Sequence, residues 1–161
     1  MKKSLSPLRK GFTLIELLVV IGILAVLLAI TLIAINPARQ FAMANNTKRS
    51  NDVNAILNAI GQYMADNRGV LPAGIPTGTA AEIGNGTGQA NICADLITTY
   101  IAALPVDPQL VNGTSAPGTP ITACATGTWE TNYSVVQSAS DGRVTVTSMT
   151  PELSATIAVT R

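Results

Sequence analysis

The chain has 161 residues, of which 47% are hydrophobic and only 12% charged, a balance that favours a membrane segment attached to one small polar domain. Its net charge of +1 is unevenly divided, because residues 1–11 hold four basic side chains and no acidic one, whereas residues 12–161 hold six basic and nine acidic side chains, a net −3. This acidic balance excludes nucleic-acid binding through a basic surface, and the absence of histidine excludes Ser-His-Asp and Cys-His catalysis.

Residues 12–35 form an apolar run with a single charged side chain, Glu16. A helix of this length extends about 36 Å and crosses a hydrocarbon core about 30 Å thick. The basic cluster before the run is stronger and closer than Arg39 after it, so the positive-inside rule places the N-terminus in the cytoplasm. A plain membrane anchor and a cleaved secretory signal are the alternatives, although the run is long for a secretory signal and opens with a carboxylate.

Asn36-Pro37 interrupts the helical pattern after this run. We expect a helix kink at Pro37, because proline lacks an amide donor and clashes with the preceding turn. Helical periodicity then returns on one face, which carries Val53, Ile56, Leu57, Ile60 and Met64. Residues 36–68 are therefore predicted to be an amphipathic continuation of the helix that ends near Asn67, before Gly69.

Three segments of the C-terminal third are rich in Val, Thr and Ile and partly alternate in polarity: residues 129–137, 143–149 and 154–160. Asp141-Gly142 between the first two is typical of a β-hairpin. We predict an α+β fold, in which a long N-terminal helix, membrane-spanning in its first half and amphipathic in its second, packs on a small antiparallel three-stranded sheet. In the globular head, residues 69–161, we expect irregular loops over 69–92 and 105–128 and a short helix from Cys93 to Leu104.

The motif Lys10-Gly11-Phe12-Thr13-Leu14-Ile15-Glu16, which runs directly into the apolar helix, resembles the type III signal peptide of type IV pilins and of type II secretion pseudopilins. The resemblance implies that residues 1–11 are a leader peptide, that a prepilin peptidase cuts between Gly11 and Phe12, and that Phe12 is then N-methylated. It also implies a role for Glu16 in assembly. An unpaired carboxylate at membrane depth is costly, and pairing with the amino terminus of a neighbouring subunit would offset that cost.

On this resemblance we expect a structural subunit and not an enzyme, namely a type IV pilin that polymerises through its N-terminal helix into a helical homopolymer. The implied partners are further copies of the chain, inner-membrane lipid, a prepilin peptidase that also methylates, and an assembly platform with its ATPase. The implied location is the cytoplasmic membrane, as a single-pass precursor, and then a cell-surface or envelope-spanning filament. A major pseudopilin of type II secretion is one alternative, and a membrane-anchored exported binding or adhesion protein that never polymerises is another.

The two cysteines, Cys93 and Cys124, are predicted to form a disulfide, because an even number of cysteines in an exported chain favours pairing. The alternative is a pair of buried free thiols. Leu104-Pro105-Val106-Asp107-Pro108 resembles an element of major pseudopilins, where nearby oxygens can hold calcium. Asp107 has no acidic residue close to it in the sequence, so we expect no metal site and no cofactor, and we interpret the element as a proline-fixed turn between helix and sheet.

Overall fold

The computed structural model describes residues 11–110, 114–125 and 127–161, and it divides into two compact units, Met1–Gln40 and Phe41–Arg161. The predicted leader therefore lies outside the described residues, apart from Gly11. Helix α1 spans Leu14–Ile35, and none of its side chains is buried. Among the described helices it alone is long and apolar enough to cross a membrane, by length and composition.

Helix α1 ends and helix α2 begins around Asn36. Asn36 has a left-handed backbone (φ 46°), which asparagine tolerates better than most residues, and it caps the end of α1. Its side-chain oxygen also accepts a hydrogen bond from the amide of Arg39 at 3.3 Å, as an N-cap does. Helix α2 then runs over Pro37–Asp66, with proline at the first helical position, where its missing amide is not needed.

The sheet of the second unit has four antiparallel strands in the order β1-β2-β3-β4. Their bounds are Ala81–Gly84, Glu130–Gln137, Val144–Ser148 and Ala158–Thr160. The α+β class is confirmed, but the prediction of three strands is wrong. The missed strand, β1, has four residues within a Gly- and Pro-rich segment, which is too short for a period-2 pattern to stand out. Its outer edge is covered by Ala90, whose amide donates to the carbonyl of Glu82 at 2.7 Å.

The predicted apolar stripe of α2 packs against the inner face of this sheet. Val53, Ile56, Leu57 and Ile60 are almost completely buried, whereas Met64 is partly buried at the edge of the cluster. The sheet contributes alternate residues of two strands, and the segment between β1 and β2 closes the cluster: Tyr133, Val135, Val144, Val146, Ile92, Cys93, Leu96, Leu104 and Trp129. Burial of this shared apolar surface holds the second unit together.

The short helix α3 spans only Cys93–Leu96, so the expected helix to Leu104 is wrong beyond its first turn. Ile97 takes an extended conformation and Thr98 a left-handed one (φ 73°). Ile97, Thr98 and Thr99 form a β-branched run, which lowers helix propensity at the point where the helix stops.

Candidate functional site

The start of helix α1 is organised around Thr13 and Glu16. Thr13 is the N-cap residue, with an extended backbone, and its hydroxyl accepts a hydrogen bond from the amide of Glu16 at 3.3 Å. In return, the Glu16 carboxylate accepts hydrogen bonds from the Thr13 amide at 2.8 Å and from the Thr13 hydroxyl at 2.7 Å. The two residues thus satisfy donors that the first turn of a helix leaves unpaired, an arrangement known as a capping box.

Glu16 therefore has a partner within its own chain, besides the predicted one in a neighbouring subunit. Both bonds to its carboxylate end on Oε2, and Oε1 accepts no hydrogen bond from any residue that the structure describes. The negative charge also lies in the first turn of α1, where the helix dipole favours it. The Thr-x-x-Glu spacing is a sequence signal for a capping box, so this second role was predictable from the sequence.

The predicted cleavage junction lies immediately before this cap. Phe12 is 84% exposed, and Gly11 precedes the helix in an exposed segment. A Cβ atom on Gly11 would meet no described atom within 4 Å. The fold of the described residues therefore does not require a glycine at this position.

A second site lies in the second unit, where Arg49 and Asp107 form a buried ion pair. Their side chains are 1% and 0% exposed. The guanidinium donates from Nε to Oδ2 at 2.7 Å and from Nη2 to Oδ1 at 3.0 Å, a two-point contact of matched geometry. Its remaining nitrogen, Nη1, donates to a carboxylate oxygen of Glu152 at 2.8 Å. One side chain of α2 thereby ties together two loops that are distant in sequence.

The acceptors around Arg49 are themselves held in place. Asn46, one turn earlier in α2, accepts from Arg49 at 3.0 Å and from the Glu152 amide at 3.0 Å, and it donates to the Glu152 carbonyl at 2.7 Å. The Asp107 carboxylate also accepts from the amide of Gln109 at 2.7 Å. Burial lowers the pKa of Arg49, but its hydrogen bonds with the Asp107 and Glu152 carboxylates outweigh that effect and raise this pKa above its ordinary value. Arg49 stays charged.

The sequence did not predict this network, because a charged side chain on a helix is usually solvated. One signal was present, since Arg49 stands four residues before Val53 and therefore on the buried face of α2. The segment from Leu104 to Pro108 was predicted only as a turn, and the ion pair of Asp107 with Arg49 was not predicted. The bidentate contact with Arg49 occupies both carboxylate oxygens, and no cluster of three potential metal ligands lies among the described residues.

Asp52 adds a further polar contact between α2 and the sheet. Its carboxylate accepts a hydrogen bond from the Tyr133 hydroxyl at 2.8 Å. Burial raises the pKa of Asp52, although the hydrogen bond from Tyr133 acts in the opposite direction. Burial and the adjacent Asp52 carboxylate raise the pKa of Tyr133 as well. The packing face of α2 is therefore polar at Asn46, Arg49 and Asp52, each of which has a hydrogen-bond partner, and apolar from Val53 to Ile60.

Cys93 and Cys124 form a disulfide, with their Cα atoms 5.6 Å apart and 31 positions apart in sequence, so the predicted bond is confirmed. Cys93 is completely buried in the hydrophobic cluster. The enclosed segment carries Asp107, so the bond constrains the loop that presents this carboxylate to Arg49.

Replacing both cysteines by alanine is expected to destabilise the second unit by about 3–4 kcal/mol, because the unfolded chain regains the entropy of an open loop of this length. Urea unfolding of the full chain in detergent, followed by circular dichroism, measures the loss. The native chain treated with a reducing agent is the control and should lose a similar amount. Equal stability of the variant and the oxidised native chain would contradict the prediction.

The N-terminal segment of the chain is similar to a known protein family. Residues 7–32 match the family model of the prokaryotic N-terminal methylation motif. The matched segment contains Gly11, Phe12, the Thr13–Glu16 capping box and most of α1. No curated protein and no solved structure matches the chain.

Proposed function

Because this motif is the prepilin signature of type IV pilins and pseudopilins, we propose that the chain is the structural subunit of a type IV pilus, cut after Gly11 and polymerised through α1. The signature implies a structural subunit and not an enzyme. It also implies processing by a prepilin peptidase. The observation that carries the proposal is the start of α1, where a carboxylate at the head of an otherwise apolar helix lies five residues after the junction.

The surface of α1 supports assembly. Its side chains are apolar on every side and none is buried within the chain, so the helix needs an apolar environment all round it. A bilayer supplies that environment to a membrane-anchored precursor, which the motif and the helix fit. In a filament, the α1 helices of neighbouring copies supply it to one another.

The geometry of Glu16 lets one carboxylate serve both the cap and the assembly contact. Cleavage after Gly11 makes the Phe12 nitrogen an α-amino group, and methylation of that nitrogen preserves its positive charge. Oε2 remains bonded to Thr13, while Oε1 is available to accept from the amino terminus of a neighbouring copy. The resulting ion pair, in an apolar surrounding, would fix the axial register of the two subunits.

We favour a pilus over a pseudopilus because the long Gly- and Thr-rich loops of the second unit suit an exposed filament surface. The element from Leu104 to Pro108 favours the alternative, a major pseudopilin of a type II secretion system. Imaging of whole cells separates the two, since a pilus extends beyond the envelope. A membrane-anchored exported binding protein is the alternative of another class, and its N-terminus would remain uncut.

Substitution of Gly11 by leucine is expected to abolish cleavage, because a bulky side chain blocks approach of the peptidase to the backbone. The substitution itself creates no clash within the described residues. Mass spectrometry of the native subunit from purified filaments should give the mass of residues 12–161 with one added methyl group and one disulfide.

Gly22→Leu is the matched control for processing, since Gly22 also has open space around its Cβ position but lies within α1. This variant should be cut normally. A native filament subunit that begins at Met1, or a Gly11→Leu chain that is cut as well as the native chain, would refute the proposal.

A further inference from the structure

The second unit has an apolar groove of ≈240 Å³ beside the C-terminal half of α2. Leu57, Ile60, Gly61 and Met64 line it from the helix, and Val144 and Arg161 line it from the sheet. A Cβ atom on Gly61 would meet no described atom within 4 Å, so the missing side chain leaves the groove open. Glycine inside a helix costs stability relative to alanine. The glycine therefore lowers the stability of the helix at a position that lines the groove.

Leu153, in the loop between β3 and β4, also has a feature that lowers the folding stability of the chain. Its backbone is left-handed (φ 56°), as is that of Ser154 (φ 53°), and its side chain is 52% exposed. A left-handed conformation is unfavourable for leucine and persists only where the surroundings enforce it. The preceding residue, Glu152, supplies that constraint through its bonds to Arg49 and Asn46. The loop thus holds a large apolar side chain out in solvent at the expense of folding stability.

Leu153 and the Gly61 groove of one copy are too far apart to meet. Asn46 of α2 holds Glu152, the neighbour of Leu153, and Gly61 lies fifteen residues further along the same helix, which corresponds to about 22 Å. Leu153 can therefore enter a Gly61 groove only in another copy. Charge favours a second copy. Glu152 accepts from Arg49 through Oε2 and flanks Leu153 with a partly exposed carboxylate, while Arg161 donates to Asn58 through Nη1 and flanks the groove with the rest of its guanidinium.

We propose that Leu153 of one copy inserts into the Gly61 groove of a neighbouring copy in the filament, with Glu152 of the first facing Arg161 of the second. The contact joins two different surfaces, so each pair of copies keeps one unused Leu153 and one unused groove at its two ends. Further copies can therefore add to both ends of the pair. This inference rests on the proposed filament function and identifies the surface through which second units of adjacent subunits meet.

Crosslinking in filaments tests the contact directly. A chain with Met64→Cys, on the groove wall, and Ser154→Cys, beside Leu153, keeps both Gly61 and Leu153. Assembled into filaments and mildly oxidised, it should give a ladder of covalent multimers on non-reducing gels. The matched control combines Met64→Cys with Thr87→Cys, an exposed position in the loop after β1, and should give no ladder. If native filaments form but the first pair crosslinks no better than the control, the contact is refuted and the filament proposal is not. Products that stop at dimers would indicate a closed pair and refute it too, and a native chain that never polymerises would refute both.

Two single substitutions separate this contact from a role in folding. Gly61→Leu fills the groove with a good helix former, and Leu153→Gly removes the side chain while relieving the left-handed strain. Both should leave the melting temperature of the full chain in detergent unchanged or raised. Both should lower the amount of pelletable filament roughly tenfold or more, since the burial of one leucine side chain is lost at every contact. Normal filament yields from either variant would overturn the proposal. A melting temperature low enough to explain the smaller amount of filament would overturn it as well.

Discussion

Substitution of Glu16 by alanine is expected to reduce filaments at least tenfold while leaving cleavage after Gly11 unchanged. Alanine removes the carboxylate that would pair with a neighbouring amino terminus, so that positive charge stays unpaired in an apolar environment. The cleavage junction is five residues earlier and keeps its sequence. Immunoblots of cell fractions measure the cut and uncut chains, and sheared surface material measures the filaments.

Two further variants separate the cap from the ion pair. Glu16→Gln retains an oxygen that can accept from the Thr13 amide but loses the negative charge, so it should assemble as poorly as the alanine variant. Thr13→Val removes only the hydroxyl of the capping box, and its effect should be limited to a modest loss in helix stability. If Glu16→Gln assembled normally and Thr13→Val did not, Glu16 would act as a capping residue and the ion-pair mechanism would be refuted.

Replacement of Arg49 by methionine is expected to destabilise the second unit by about 3–5 kcal/mol, the usual cost of removing one partner of a buried ion pair. The buried Asp107 carboxylate would keep only the amide of Gln109 among its present described hydrogen-bond donors. The Glu152 loop would also lose one of its anchors to α2. Urea unfolding of the full chain in detergent measures the loss through the fluorescence of Trp129, which is the single tryptophan and is buried.

Lys48→Met is the matched control for Arg49→Met, since it removes the same charge from the adjacent, exposed position of α2. It should change the free energy of unfolding by less than about 0.5 kcal/mol. Adding Asp107→Leu to Arg49→Met should recover part of the loss, because no unpaired charge then remains buried. An Arg49→Met variant as stable as Lys48→Met would show that the ion pair does not hold these loops.

The buried ion network and the proposed intersubunit contact share one loop. Glu152 bonds to Arg49 and Asn46, and Leu153 follows directly with its strained backbone. Because the network holds the loop in the conformation that exposes Leu153, loss of Arg49 would disturb the proposed contact as well as the fold. A polar cluster in the interior of one subunit would thus position an apolar side chain for the next subunit.

The sequence alone determined the features that depend on neighbouring residues. An apolar run of membrane length, with Glu16 as its single charged residue, identified α1. The distance of that carboxylate from Gly11-Phe12 identified the prepilin signature. The 3.6-residue period identified the buried stripe of α2, and period-2 alternation identified β2 and β3 well. Two cysteines in a chain predicted to be exported were enough to predict the disulfide. Each of these signals lies within a short window or in a residue count, so no knowledge of the fold was needed.

Only the tertiary structure decided which distant residues meet. Arg49 and Asp107 are 58 positions apart and Arg49 and Glu152 are 103 apart, so no local pattern connects them, and a charged side chain on a helix is usually solvated. Strand β1 is set by pairing with β2 across more than forty residues, since four residues have little preference of their own. The Gly61 groove and the exposed Leu153 likewise depend on where the chain folds back. Close packing and the pairing of buried charges act between residues brought together in space, and therefore leave little trace in the order of the sequence.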